Sequence, residues 1–227
     1  MAGELCVEEH RVAKASATGE AGDGAPPAPE TLIPSQLARR RRIVVNALRL
    51  LEESPYEKIQ MRDVAESADV AIGTVYRYFA SKEHLFAAVL VEWSGMLESR
   101  VQRRPLRGDD PAARLKDMMG RVLNSFERWP QFFAVVMVLE STPDVHAREL
   151  YGRFSSSTTE TFREALEGLS QVSSVAVMQV TNAMLSQLVR NWILGLIPMS
   201  EARARMEGSI DLIFSPPPEV AAPADSA

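Results

Sequence analysis

Between Ser35 and Phe214 no stretch of this 227-residue chain alternates apolar and polar residues with a period of two. A half-buried strand needs that alternation, because successive side chains point to opposite faces of a sheet. Apolar residues recur here every three or four positions instead, the spacing that lines one face of a helix. The expected body is therefore all-α. Prolines mark its joints: Ser54-Pro55 and Arg104-Pro105 stop helices, Pro111 follows Asp110 to open one, and Pro130, Pro143 and Pro198 separate the rest. The pyrrolidine ring removes a backbone donor and biases the preceding residue away from helix, yet fits a helix's first turn. Helices are expected over 35–53, 61–68, 72–78 and 81–103, then from Asp110-Pro111, and over 130–141, 144–169, 173–197 and 200–214.

The two ends read differently. Residues 17–34 are rich in Gly, Ala, Pro and acid without apolar period, and Pro216-Pro217-Pro218 opens a similar tail. Such segments bury too little surface to offset their ordering entropy, so 1–34 and 215–227 are expected to be disordered tails. A single cysteine, Cys6, rules out a disulfide or thiolate metal cluster within one chain. The first thirty residues are acidic and lack the apolar run of a signal peptide. The longest apolar run, Phe132 to Leu139, falls well short of the ~20 residues of a membrane span. A soluble, cytoplasmic protein with no membrane partner is expected.

The net charge of −5 is unevenly spread. Residues 35–82 carry nine bases against six acids, while 1–34 carry six acids against two bases. A basic module between acidic stretches fits either a solvated helix face or a polyanion partner.

The stretch from Gln60 to Phe79 favours the partner. Its first helix turns Val64, Ala65 and Ala68 inward, where a second helix must cross closely, and Asp69-Val70-Ala71 links to Ile72–Tyr78. That is a helix-turn-helix, whose second helix suits the major groove of double-stranded DNA. Gly73 and Thr74 are short enough for the backbone to near the bases. Tyr76, Tyr78 and Lys82 offer hydroxyl and ammonium donors to phosphates, and Arg62 can donate bidentately to guanine. Val75 and Phe79 read as core. Tyr76 is also a candidate packing tyrosine, and Arg77 fits an ion pair as well as a phosphate. Arg39 to Arg42 are either a solvated helix start or an approach to the DNA backbone. Asp63 either orients an arginine or closes its helix start.

Over about Arg39 to Phe86 the chain resembles the tetracycline-repressor (TetR) family of bacterial regulators. The resemblance lies in the basic first helix, Tyr56, Met61-Arg62-Asp63-Val64-Ala65, Gly73-Thr74-Val75-Tyr76-Arg77-Tyr78-Phe79 and Ser81-Lys82-Glu83-His84-Leu85-Phe86. It implies that Thr74, Tyr76 and Tyr78 take recognition-helix contacts, that Lys82 binds phosphate and that Arg62 reads a base. Ile72 departs from the polar residue some members carry there, so contact would be apolar, as with a thymine methyl. Within the family the motifs are most similar to actinobacterial regulators of sterol breakdown, which implies a sterol-derived acyl-CoA thioester as effector.

Residues 108–214 hold no catalytic motif. His84 lies inside the DNA-module signature and His146 has no ligand partner at metal spacing, so no metal, cofactor or enzymatic activity is expected. Residues 155–159, Ser-Ser-Ser-Thr-Thr, lack a nucleophile elbow. Apolar bulk with flexible side chains is plentiful, and Trp93, Met96, Phe126, Trp129, Phe133 and Met137 are the candidate lining of a pocket for a small apolar effector. The helix 173–197 has Arg190 as its only charge and is apolar most of the way round. Burial on both sides fits a homodimer contact through Leu185, Leu188, Trp192 and Leu196, joined by Ile210 and Phe214 of the last helix. The expectation is an amino-terminal helix-turn-helix three-helix DNA-binding domain (35–82) and a carboxy-terminal effector-binding and dimerisation domain (83–214), acting as a repressor released from a palindromic operator. The alternative, a helical small-molecule carrier or sensor without DNA binding, would be favoured by loss of Thr74, Tyr76 or Lys82, and all three are present.

Overall fold

A computed structural model describes residues 25–102 and 104–215, so the tails expected over 1–24 and 216–227 lie outside the described residues. Among the described residues the α-helices are α1 (Pro34–Glu53), α2 (Met61–Ser67), α3 (Ile72–Tyr78), α4 (Lys82–Gln102), α5 (Pro111–Arg128), α6 (Pro130–Glu140), α7 (Val145–Ala165), α8 (Gln171–Ile193) and α9 (Met199–Phe214). No strand occurs among them. The part of the amino-terminal stretch that is described, from residue 25, carries a short 3-10 turn, Pro29–Thr31.

Most helix ends follow their local chemistry. Ser81 Oγ accepts from the His84 amide at 3.0 Å to open α4, and Asp110 accepts from the Ala113 amide at 2.8 Å to open α5. Ser35 does not cap α1 as expected. Pro34 takes the first helical position, and the Gln36 side chain accepts from the Ile33 amide at 3.4 Å. α8 ends at Ile193, short of the expected Ile197, because Gly195 adopts φ 71. There the Gly195 amide donates to the Trp192 carbonyl and the Leu196 amide to the Asn191 carbonyl, a two-bond wrap that requires a left-handed residue. α7 likewise ends at Ala165, ahead of Gly168 at φ 99.

The buried apolar residues form one core running from Ile43 in α1 to Ile210 in α9. The expected boundary after residue 82 is therefore not a seam. α4 crosses it with Leu85, Phe86, Ala87, Val89 and Leu90 fully buried. Phe86 meets Tyr56 edge-on at 5.1 Å between centroids, and α7 lies along α4. A long, packed helix thus joins the α2–α3 pair to the carboxy-terminal bundle. α8 is long and apolar enough, by length and composition, to cross a membrane. Within this bundle it buries Thr181, Leu185, Leu188 and Val189 on one side.

Candidate nucleic-acid interface

α2 and α3 cross where side chains are small. Val64, Ala65, Ala68 and Val75 are all buried between them. The turn needs one left-handed residue, and Asp69 supplies it at φ 50, a conformation that Asp tolerates better than most residues. The Val70 amide donates back to the Ala65 carbonyl at 3.0 Å, closing the turn. Asp63 closes the start of α2, its Oδ2 accepting from the Gln60 amide at 2.7 Å.

This frame turns Ile72, Gly73, Tyr76 and Arg77 of α3 outward, with Thr74 half-buried beside them. A Cβ at Gly73 would meet nothing within 4 Å, so the fold itself does not require glycine there. An open cleft of about 510 Å³ brings Arg62, Ile72, Tyr76 and Lys82 to one face. Tyr76 is exposed and is not a packing residue.

Lys82 is held in place at that cleft. Its Nζ donates to the Tyr56 carbonyl at 2.5 Å and lies 3.9 Å from the centroid of the Tyr56 ring. Burial lowers its pKa, an effect opposed by the charges of Glu57, Glu83 and Asp63. An ammonium has three donors, so donors remain for a phosphate. The Tyr56 hydroxyl donates to Glu83 Oε1 at 3.3 Å, and burial together with that carboxylate raises the phenol pKa, which keeps the donor proton in place. The role of Tyr56 in placing Lys82 was not legible in the sequence, because 26 residues separate the pair.

Two expected DNA contacts are turned inward. Tyr78 is only 1 % exposed, so its phenol packs in the core and does not face a phosphate. Its place on α3, three residues after Val75, puts it on the helix's buried face. Arg40 is half-buried, its guanidinium 4.8 Å from the Phe79 ring centroid and its Nε without a partner. A cation over an aromatic face is attracted by the ring's quadrupole, which explains the inward turn. Arg39 remains exposed, Arg41 pairs with Glu92 at 3.3 Å, and Arg42 donates to the Asp69 carbonyl at 3.4 Å.

His146 is not alone. Its ring stacks on His84 at 5.2 Å between centroids, although 62 positions separate the two in sequence. His84 Nδ1 accepts from the Ala80 amide at 3.2 Å. Burial, with His146 and Arg40 nearby, lowers the His84 pKa to about 4 against a partial opposing pull from Asp144. The folded protein therefore resists a proton that the unfolded chain takes up near pH 6.5. Stability is expected to fall as pH drops from about 6.5 towards 4, since the unfolded state binds more protons across that window. Thermal unfolding across that range checks this, and His84→Phe should flatten the limb. Among the described residues no cluster of three or more His, Cys, Asp or Glu is arranged for a metal ion.

The candidate pocket lining divides. Trp93 lies 5.5 Å from Phe126, and Phe126 lies 5.2 Å from Phe133, with Phe132 stacked on Trp93 at 4.8 Å. These rings fill the space between α4, α5 and α6. Trp129 and Met137 are half-buried at its margin, while Met96 is exposed on α4 and stands apart.

The candidate dimer residues divide too. Leu185, Leu188 and Ile210 are buried within the single chain, Trp192 and Phe214 are half-buried, and Leu196 is 67 % exposed. The inward stripe of α8 thus serves its own bundle. The face that remains open runs through Val172, Val175, Ala176, Gln179, Val180, Ala183 and Gln187, and bears no charge.

The pattern of the bacterial regulatory proteins of the tetR family matches residues 43–89, from α1 to the middle of α4. The chain carries the amino-terminal module of the tetR family. The HTH-type transcriptional repressor KstR of Mycolicibacterium smegmatis is 41 % identical over 96 residues, which cover 42 % of this chain and 47 % of that protein. The chain thus spans about half the length of that relative in the match. KstR of Rhodococcus jostii is 29 % identical over 182 residues, 79 % of this chain and 84 % of that protein. A TetR transcriptional regulator from Rhodococcus sp. RHA1 superposes with a TM-score of 0.70 at 22 % identity, over 79 % of this chain and 97 % of that one. The transcriptional regulator FadR from Bacillus subtilis, in complex with stearoyl-CoA, has a TM-score of 0.59 at 17 % identity, over 77 % and 97 %. These structural likenesses extend the tetR-family fold through the carboxy-terminal helices. The likenesses point to a family of transcription regulators, not of enzymes.

Proposed function

We propose that this chain is a ligand-responsive transcriptional repressor that acts in the cytoplasm as a homodimer on a palindromic operator. The observation that carries the reading is a cleft that brings Arg62, Ile72, Tyr76 and Lys82 together on the outward side of a helix-turn-helix. Arg62 is placed to read a base, Lys82 to hold a phosphate, and Ile72 to meet a thymine methyl. The uncharged open face of α8, with Ala204, Gly208 and Leu212 exposed on α9, is the surface for the second copy. The effector is apolar over most of its surface, because the interior between α4, α5 and α6 offers aromatic rings and methionine more than hydrogen bonds. Likeness to a FadR in complex with stearoyl-CoA supports an acyl-CoA thioester.

Binding to an operator selected from random duplexes tests this, followed by competition with a sterol-derived acyl-CoA thioester, stearoyl-CoA and coenzyme A alone. Release by a thioester but not by coenzyme A is expected. Release by coenzyme A alone would overturn the apolar effector, and the absence of any selected duplex would favour the carrier reading. The open space at Gly73 gives a separate check. Gly73→Ala is expected to leave stability equal or raised by up to about 1 kcal/mol, the helix-propensity gain, while weakening operator binding. Unchanged operator affinity would show that the α3 backbone does not approach the bases.

A further inference from the structure

The corner between α3 and α4 is pinned from both sides. α3 ends at Tyr78 and α4 begins at Lys82. Within the link, the Ala80 amide donates to His84 Nδ1 at 3.2 Å, and Ser81 Oγ accepts from the His84 amide at 3.0 Å. Ser81 Oγ then donates to Asp144 Oδ2 at 2.5 Å, across 63 positions of sequence. Asp144 is itself the cap of α7, its Oδ1 accepting from the amides of His146 at 2.8 Å and Ala147 at 2.9 Å. The cap of α4 is therefore hydrogen-bonded to the cap of α7. Hydrogen bonds from a hydroxyl to a carboxylate are short and strong. Burial pushes the Asp144 pKa up, but the Ser81 hydroxyl and the two amides outweigh it and hold the group ionised. Beside this bond His84 stacks on His146 and meets Phe79 edge-on at 5.3 Å, with Arg40 on Phe79.

We propose that Ser81 and Asp144 are positioning residues for the recognition helix: their cap-to-cap bond, backed by the His84–His146 stack, fixes α3 relative to α7 and passes movement of α7 to the DNA-reading face. Its functional arm rests on the repressor reading above. α7 also touches α5, α6 and α8, so a molecule that parts the rings between α4, α5 and α6 moves α7 and with it Asp144. The bond joins two helix starts directly, so a rotation of one reorients the other with little slack.

The test is an intrachain spin-label distance between Arg77→Cys on α3 and Asn124→Cys on α5, in a Cys6→Ser background diluted with unlabelled chain. One narrow distance is expected in the parent. Ser81→Ala and Asp144→Ala should each broaden it, because each breaks the shared bond as well as its own helix cap, and the double variant should broaden it by less than the sum of the two. Asp144→Ser separates joint from cap: serine still caps α7 but is too short to reach Ser81, so broadening is expected without loss of α7. Operator affinity should fall about tenfold in these variants while random-duplex affinity stays within about twofold, the size of a typical coupling. A distance distribution as narrow in Asp144→Ser as in the parent would overturn the joint. If the parent selected no operator, the repressor reading would fail, and the distance measurement would still decide the joint.

Discussion

Val180→Glu and Ala183→Arg are each expected to turn the proposed homodimer into a folded monomer and to weaken operator binding by about a hundredfold or more. Val180 is 49 % exposed on α8 and its own bundle does not need it. In a symmetric dimer the same face meets itself, so one substitution places two like charges in an apolar seam. A dimer gains its operator affinity from linking two half-site contacts, and the avidity lost on dissociation is commonly 10²- to 10⁴-fold. Leu188→Glu is a poor probe by comparison. Leu188 is 3 % exposed within the single chain, so a charge there unfolds the bundle whether or not a dimer exists. Sedimentation equilibrium and circular dichroism on the two exposed-face variants give the answer. An unchanged dimer in both would move the interface elsewhere.

The second large effect separates reading from holding at the DNA face. Arg62→Ala is expected to cost about 1–3 kcal/mol on the operator, relax preference at one base pair and leave random-duplex binding nearly unchanged. Lys82→Ala should weaken operator and random duplex together and reduce the salt slope by about 1, the mark of one lost phosphate contact. The contrast follows from placement: Arg62 is exposed at the cleft, while Lys82 is held there by the Tyr56 carbonyl and ring. Anisotropy titrations at several salt concentrations with both duplexes distinguish the two. Equal losses on both duplexes for Arg62→Ala would remove it from base reading.

How far the sequence revealed this arrangement depended on the range of the interaction. Helix periodicity, proline joints and the caps Ser81 and Asp110 act within a few residues, and the helix starts they mark agree with the structure. Helix ends governed by positive-φ glycines, Gly168 and Gly195, were placed too late, because an apolar pattern continued past them. Arg62, Tyr76 and Lys82 line one cleft, as their motif spacing predicts. Tyr78 was misplaced for a related reason: a tyrosine near the end of a short helix reads as a donor until its face is known. Arg40 turned inward through a ring 39 positions away, and His146 gained its partner through packing of α7 on α4. Neither leaves a local trace. The candidate dimer residues divide between the chain's own core and its surface. An all-round apolar helix signals burial on both sides but not which stripe belongs to its own bundle, and only the packing of α8 within that bundle decides it.

Selection of duplexes from a random library by the purified chain decides whether it reads DNA as a symmetric pair. A twofold-symmetric consensus is expected, with half-site centres about one helical turn, roughly 34–36 Å, or a multiple of it apart, bound by two copies of the chain. In Arg62→Ala the consensus should weaken at one position. Enrichment of no sequence, or of a site without twofold symmetry bound by one copy, would contradict the symmetric pair.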